Sequence, residues 1–165
     1  MNTQIGKAAA KINLAIDVLR KRPDGYHDVI MIMQSVALYD ILTVKVQKGD
    51  IRITSNSSKI PTDSTNIVYK AAEYLKLKYN VKKGALINID KNIPVAAGLA
   101  GGSADAAAAL KLLNKAWGLR LSRTELLEAG KRLGADVPFC MQGGTALAEG
   151  LGEKLTSLPG IPDCY

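Results

Sequence analysis

The stretch Pro94-Val95-Ala96-Ala97-Gly98-Leu99-Ala100-Gly101-Gly102-Ser103-Ala104-Asp105 decides the fold. Before it, Leu86 to Ile89 reads as a strand; after it, Ser103 to Trp117 reads as a helix stopped by Gly118, a residue suited to a left-handed cap. A small-residue turn between strand and helix has the physics of an anion cradle. Without bulky side chains, backbone N–H groups can approach phosphate oxygens, and the helix start adds the positive end of its dipole. Ser103 would add a hydroxyl. The same string also describes a plain strand-to-helix connection. No Lys-Ser/Thr pair follows the glycines and no Gly-x-Gly-x-x-Gly occurs, so ordinary P-loop and dinucleotide turns are disfavoured. Ala104 and Ala106 to Ala109 give the helix a surface that can lie very close to a sheet, which explains the alanines better than a cofactor groove does.

Towards the N-terminus the periodicity changes from helical to alternating. From Lys11 to Val18, Ile12, Leu14, Ile16 and Val18 point one way while Lys11, Asn13, Ala15 and Asp17 point the other, as in a strand with one polar face. Pro23-Asp24-Gly25 then supplies a tight turn, from which Tyr26 and His27 emerge together. Two extended runs, Val29 to Leu38 and Ile41 to Val46, flank Tyr39-Asp40, and Ile51 to Thr54 is a short further strand. Asp63 or Ser64 is placed to cap a helix reaching about Tyr79, with Ile67, Val68, Ala71, Ala72 and Leu75 as its apolar stripe. Towards the C-terminus, Ser122-Arg123-Thr124-Glu125 has the capping-box pattern of a third helix that stops near Gly134. Gly143 to Ala148 reads as a strand, and no closing element is expected in the Pro/Gly-rich stretch after it.

Composition bounds what this α+β chain can be. Its 165 residues are one domain's worth, 47% are hydrophobic and 22% charged, so disorder, collagen-like repetition and a disulfide-built miniprotein are excluded. The net charge of +7 suits nucleic acid, an anionic membrane or a polyphosphate, and does not choose among them. Against an RNA-binding module, aromatics are few and the basic residues are scattered through helices and loops. Cys140 and Cys164 have no paired spacing and there is one histidine, so no zinc site is expected; Cys140 reads as a small core residue. No apolar signal core or membrane span stands out, and the cytoplasm is the expected address. No oligomeric state follows.

Taken singly, the remaining polar residues have dull readings. Lys11 could be a lysine on the open face of an edge strand, Asp136 the N-cap of a short helical turn, and His27 a turn residue beside a partly buried Tyr26. Their joint order is more telling. Ala10-Lys11-Ile12-Asn13-Leu14, Arg22-Pro23-Asp24-Gly25-Tyr26-His27, Ile93 through Ala106 and Gly134-Ala135-Asp136-Val137-Pro138-Phe139 occur in one sequence. That order resembles the GHMP kinase superfamily, and within it the branch that phosphorylates a cytidine diphosphate derivative of methylerythritol on the non-mevalonate route to isoprenoid precursors.

The resemblance implies a ribosomal protein S5 domain 2-like fold, a mixed sheet with helices packed on one face. It implies ATP and Mg²⁺ as cofactors, a small-molecule partner, and neither nucleic acid nor membrane. On matching positions Asp136 would take the 2-hydroxyl proton, with Lys11 holding that aspartate and the hydroxyl in place. An adjacent ammonium keeps a carboxylate ionised and eases a developing alkoxide. Asn13 would touch substrate, Tyr26 would stack on the cytosine and His27 would bond its edge. ATP would be held by Asn66, Lys91 and the run Pro94, Val95, Ala96, Ala97, Gly98, Leu99, Ala100, Gly101, Gly102, Ser103 and Ala104. Ala96, Ala97 and Ala100 depart from the family, where many relatives carry glycine. Residues 1–157 would then form the N-terminal domain and 158–165 the start of a linker to a second, absent domain, leaving the site half open.

Overall fold

The computed structural model describes residues 3–23 and 25–161; Asp24 of the tight turn, Cys164 and the end of the linker lie outside the described residues. The elements run β1 (Thr3–Lys21), β2 (His27–Gln47), β3 (Ile51–Ser55), α1 (Ile67–Lys78), β4 (Gly84–Asp90), α2 (Gly101–Trp117), α3 (Arg123–Leu133), α4 (Val137–Gln142), β5 (Thr145–Gly150) and β6 (Lys154–Leu158). All six strands join one sheet.

The long β2 is its spine. β1 runs antiparallel along one edge of β2, while β4 and β5 share the other edge, β4 against Ile41–Gln47 and β5 against Val29–Gln34. β3 lies parallel to β4, which makes the sheet mixed, as expected. Alternate strand residues, Leu42 and Val44, Ile51 and Ile53, Ala85, Ile87 and Ile89, are buried with Ala8, α1 and the alanine-rich α2 in the main core. Small side chains permit the close approach: a Cβ on Gly6 would stand 3.1 Å from Leu112 Cδ2. A second cluster, Met31, Met33, Phe139, Ala146 and Ala148, anchors α4 to the sheet beside β5.

Four features differ from the sequence reading. β2 is continuous through Tyr39-Asp40 instead of two runs, because Asp40 spends its carboxylate sideways, accepting from the N–H groups of Asn92 and Ile93 at 2.6 and 2.8 Å. α1 starts at Ile67 under an Asn66 cap, whose side chain accepts from Val68 N–H at 2.8 Å; Asp63 instead accepts from Thr65 at 2.9 Å. A closing strand, β6, pairs with β5 where none was expected. Finally, the apolar row Leu14, Ile16 and Val18 is 48–57% exposed. Bulges between Ala9 and Lys11 and between Asn13 and Ala15 shift the register on the way to that row. The capping box at Ser122 and the left-handed Gly118 are as expected.

Candidate functional site

The turn from β4 to α2 curls tightly, with left-handed backbone at Ala96 (φ 59°), Gly98 (φ 75°) and Ala100 (φ 54°). Lys11 N–H donates to Leu99 C=O at 3.1 Å, so the curl is pinned to β1. Ala100 is the N-cap of α2 and offers no side-chain hydrogen bond, so no cap side chain occupies the orphan donors of the first turn. A cavity of about 700 Å³ lies under the loop. Its walls take in Lys11, Asn13, Asn66, Lys91, every residue from Pro94 to Ser103, and Asp136.

Asp136 and Lys11 meet at its mouth. Lys11 is buried at 6% exposure, mid-strand rather than on an open face, and its ammonium lies 3.8 Å from Asp136 Oδ2. It also donates to Asn13 Oδ1 at 3.1 Å, and Asn13 in turn reaches Met31 Sδ at 3.6 Å. Asp136 does stand at the head of α4, but its side chain makes no capping bond. The carboxylate is therefore left for Lys11 and the cavity. Asp136 is a third exposed and Lys11 nearly enclosed, so a ligand in the cavity would meet an accessible carboxylate backed by a desolvated ammonium.

Lys91 plays a different part from a free basic contact. Its ammonium, 5% exposed, pairs with Asp40 and with Asp105 Oδ2, the latter at 2.9 Å. Burial pushes the Asp105 carboxyl up to about 7, with Lys91 opposing and Asp40 adding to the rise. Sequence reasoning missed Asp40 and Asp105 as site-supporting residues; Asp40 stood between two extended runs and Asp105 closed the small-residue stretch with no role of its own. It also missed Ile60, Pro61, Thr65 and Ile67, apolar and small polar residues that complete the cavity wall without any motif to mark them.

Three expected residues lie elsewhere. Ala104 is 1% exposed, faces the core, and its N–H is spent on Ala100 C=O at 2.9 Å. Tyr26 and His27 do not line the cavity; they sit at the tip of the β1–β2 hairpin, both exposed, with His27 opposite Lys21. Ten residues of β1, interrupted by bulges between Asn13 and Ala15 and between Val18 and Arg20, connect Lys11 to that tip. Asp28 braces the tip, accepting from Arg20 at 2.6 Å and Arg22 at 3.0 Å, and these arginines hold its carboxyl below the usual range. Among the described residues no cluster of three or more His, Cys, Asp or Glu could hold a metal, and no helix is long and apolar enough to cross a membrane.

The family described as GHMP kinases N terminal domain matches residues 66–144, from the α1 cap through the turn before β5. A 4-diphosphocytidyl-2-C-methyl-D-erythritol kinase of Clostridioides difficile is 60% identical over 157 residues, 94% of this chain and 53% of the relative. One from Caldicellulosiruptor saccharolyticus is 57% identical over 157 residues, 94% of this chain and 54% of the relative. A solved 4-(cytidine 5'-diphospho)-2C-methyl-D-erythritol kinase superposes with a TM-score of 0.82 at 33% identity, covering 94% of this chain and 55% of its own. The chain thus spans about half the length of the curated relatives it matches.

Proposed function

We propose that this chain carries a GHMP kinase N-terminal domain and seats the phosphates of ATP under the Pro94–Ser103 loop for transfer of the γ-phosphoryl to an alcohol. The observation that carries the reading is the Lys11–Asp136 pair, 3.8 Å apart at the mouth of the loop's cavity. Phosphoryl transfer asks for positioning and charge neutralisation more than for covalent chemistry. The uncapped start of α2 offers donors to phosphate oxygens, and Ser103 adds a hydroxyl. Asp136 would accept the proton of the attacking hydroxyl, while Lys11 holds Asp136 in place and steadies the alkoxide.

Mg²⁺ neutralises phosphate charge when bound. With no acidic cluster among the described residues to hold it, the cation would arrive on the nucleotide, the usual habit of an ion that keeps its waters and takes phosphate oxygens. The acceptor we propose is the cytidine-diphosphate-linked methylerythritol named for the relatives, phosphorylated at its 2-hydroxyl, a step towards isoprenoid precursors. Asn13 would contact it beside Lys11, with Tyr26 and His27 as the clamp for its cytosine. Asn66 would border the nucleoside of ATP, and Lys91 would act from beneath the loop. Residues 1–157 form the nucleotide-binding domain in this reading.

Equilibrium binding of a non-hydrolysable ATP analogue with Mg²⁺ to the chain tests the first half. A Cβ on Gly102 would meet Ile67 Cγ2 at 3.7 Å, an ordinary contact, and Gly102 lines the cavity, so Gly102→Val adds bulk at the cavity wall. Saturable binding weakened at least about tenfold by Gly102→Val is expected; no saturable binding overturns the reading. For the second half, Asp136→Ala leaves analogue binding within a few fold and lowers phosphoryl transfer by about 10²–10⁴, the range of a general base. Undiminished transfer would remove Asp136 from that role.

A further inference from the structure

Beneath the loop, three segments meet in one buried ionic cluster. Asp40 comes from the middle of β2, Lys91 from just past β4, and Asp105 from the second turn of α2. Their side chains are 0%, 5% and 4% exposed. One ammonium serves two carboxylates: Lys91 Nζ pairs with Asp40 Oδ2 and, at 2.9 Å, with Asp105 Oδ2. Asp40 Oδ1 is committed to the N–H groups of Asn92 and Ile93. Asp105 Oδ1 is buried with no hydrogen-bond partner. The Lys91 ammonium is also pressed against the head of α2, since a Cβ on Gly101 would stand 2.9 Å from Lys91 Nζ. Both Lys91 and Asp105 belong to the cavity wall.

A buried group with one charge too many is costly unless it can be neutralised. With both carboxylates ionised the cluster carries a net negative charge directly under the place a polyphosphate would occupy. One added proton makes it neutral. We propose that Asp105 is a positioning residue for the nucleotide: with Asp40 it clamps the Lys91 ammonium against Gly101, and docking of a polyphosphate at the head of α2 draws one proton from solvent onto the cluster.

The direction follows from electrostatics, because an anion brought close favours the protonated form of a carboxyl. The carboxyl of Asp105 is already lifted to about 7 by burial, so the change falls in an accessible range. The Cys140 thiol on α4 feels the Asp105 charge, but burial pushes it up to about 12 and it stays neutral throughout; Lys11 and Asp136 line the same cavity as Asp105. The proposal rests on the nucleotide reading above.

The experiment is calorimetric titration of the full chain and of Asp105→Asn with an ATP analogue and Mg²⁺, from pH 6 to 8.5, in two buffers of different ionisation heat. The amide keeps the shape and an acceptor for Lys91 but cannot titrate. The wild-type chain is expected to take up a fraction of a proton near pH 7 and to lose about fivefold in affinity over the range. Asp105→Asn should take up less and hold its affinity nearly level; comparing the two removes the nucleotide's own ionisation. Carbon-13 titration of the aspartate carboxyls in the wild-type chain needs no variant, and should show one carboxyl titrating near neutrality and moving upward with nucleotide. Equal proton uptake in both chains, or every carboxyl titrating below about pH 5, overturns the positioning role while leaving nucleotide binding intact. No binding by the wild-type chain overturns both.

Discussion

Alanines 96 and 100 sit on left-handed backbone, at φ 59° and 54°, where a Cβ crowds the neighbouring carbonyl at a cost of about 1–2 kcal/mol per residue. Glycine removes that crowding and gives back part of the gain as unfolded-chain entropy. Ala96→Gly and Ala100→Gly should each stabilise the chain by about 0.5–1 kcal/mol in urea denaturation; a loss of stability would show that the loop's geometry differs from that described. The sequence marked these alanines as departures from a glycine-rich pattern but not which of the three was strained, because only backbone angles separate Ala97 from its neighbours. Cys140 is a second residue-scale case. Its thiol is pushed up to about 12 by burial, with Asp136 adding to the rise, so its thiolate fraction at neutral pH lies about a thousandfold below that of an exposed cysteine. Alkylation read at Cys140 by peptide mass should be slow in the folded chain and fast in urea.

Between elements, close approach is bought by glycine at one place above others. A Cβ on Gly84, the first residue of β4, would stand 2.3 Å from Asp50 C=O oxygen and 2.6 Å from that of Gly49, both backbone. Trp117 closes the same corner, donating from its indole to Gly84 C=O at 3.3 Å. Since the backbone there has no flexible end to yield, Gly84→Ala should destabilise by about 2–3 kcal/mol, measurable as a lower urea midpoint with unchanged slope. An effect under 0.5 kcal/mol would mean the turn before β3 moves freely. Most elements were legible from local pattern: the loop and α2 from their glycines and alanines, and α3 from its capping box. The continuity of β2 and the cap of α1 were not, for one shared reason. Asp40 and Asp63 look alike in sequence as breakers or caps, and only tertiary partners decide that Asp40 stays inside a strand while Asp63 is spent on Thr65. The Lys11–Asp136 pairing was legible only through the order of motifs, as the two lie on elements far apart in the chain.

For the molecule as a whole, the ionic cluster under the loop sets a pH dependence of stability whose sign is opposite to that of the surface carboxylates. Asp28, Asp63, Glu125 and Glu128 all have carboxyls held below their usual range by hydrogen bonds or neighbouring cations. Their contribution is present above about pH 4 and lost as pH falls below it. Asp105 is raised instead, to about 7. Between about pH 4 and 7 the folded chain keeps a proton there that the unfolded chain has released, so stability declines as pH rises through that window and levels off above it. The full slope for one such group is about 1.4 kcal/mol per pH unit, so the loss between pH 5 and 8 is on the order of 2 kcal/mol. Urea denaturation across that range should show the wild-type chain losing stability while Asp105→Asn stays nearly level, so that the two curves converge or cross as pH rises. Parallel curves would place the ionised form of Asp105 in the folded chain at every pH, with the Lys91 ammonium alone sustaining two buried carboxylates.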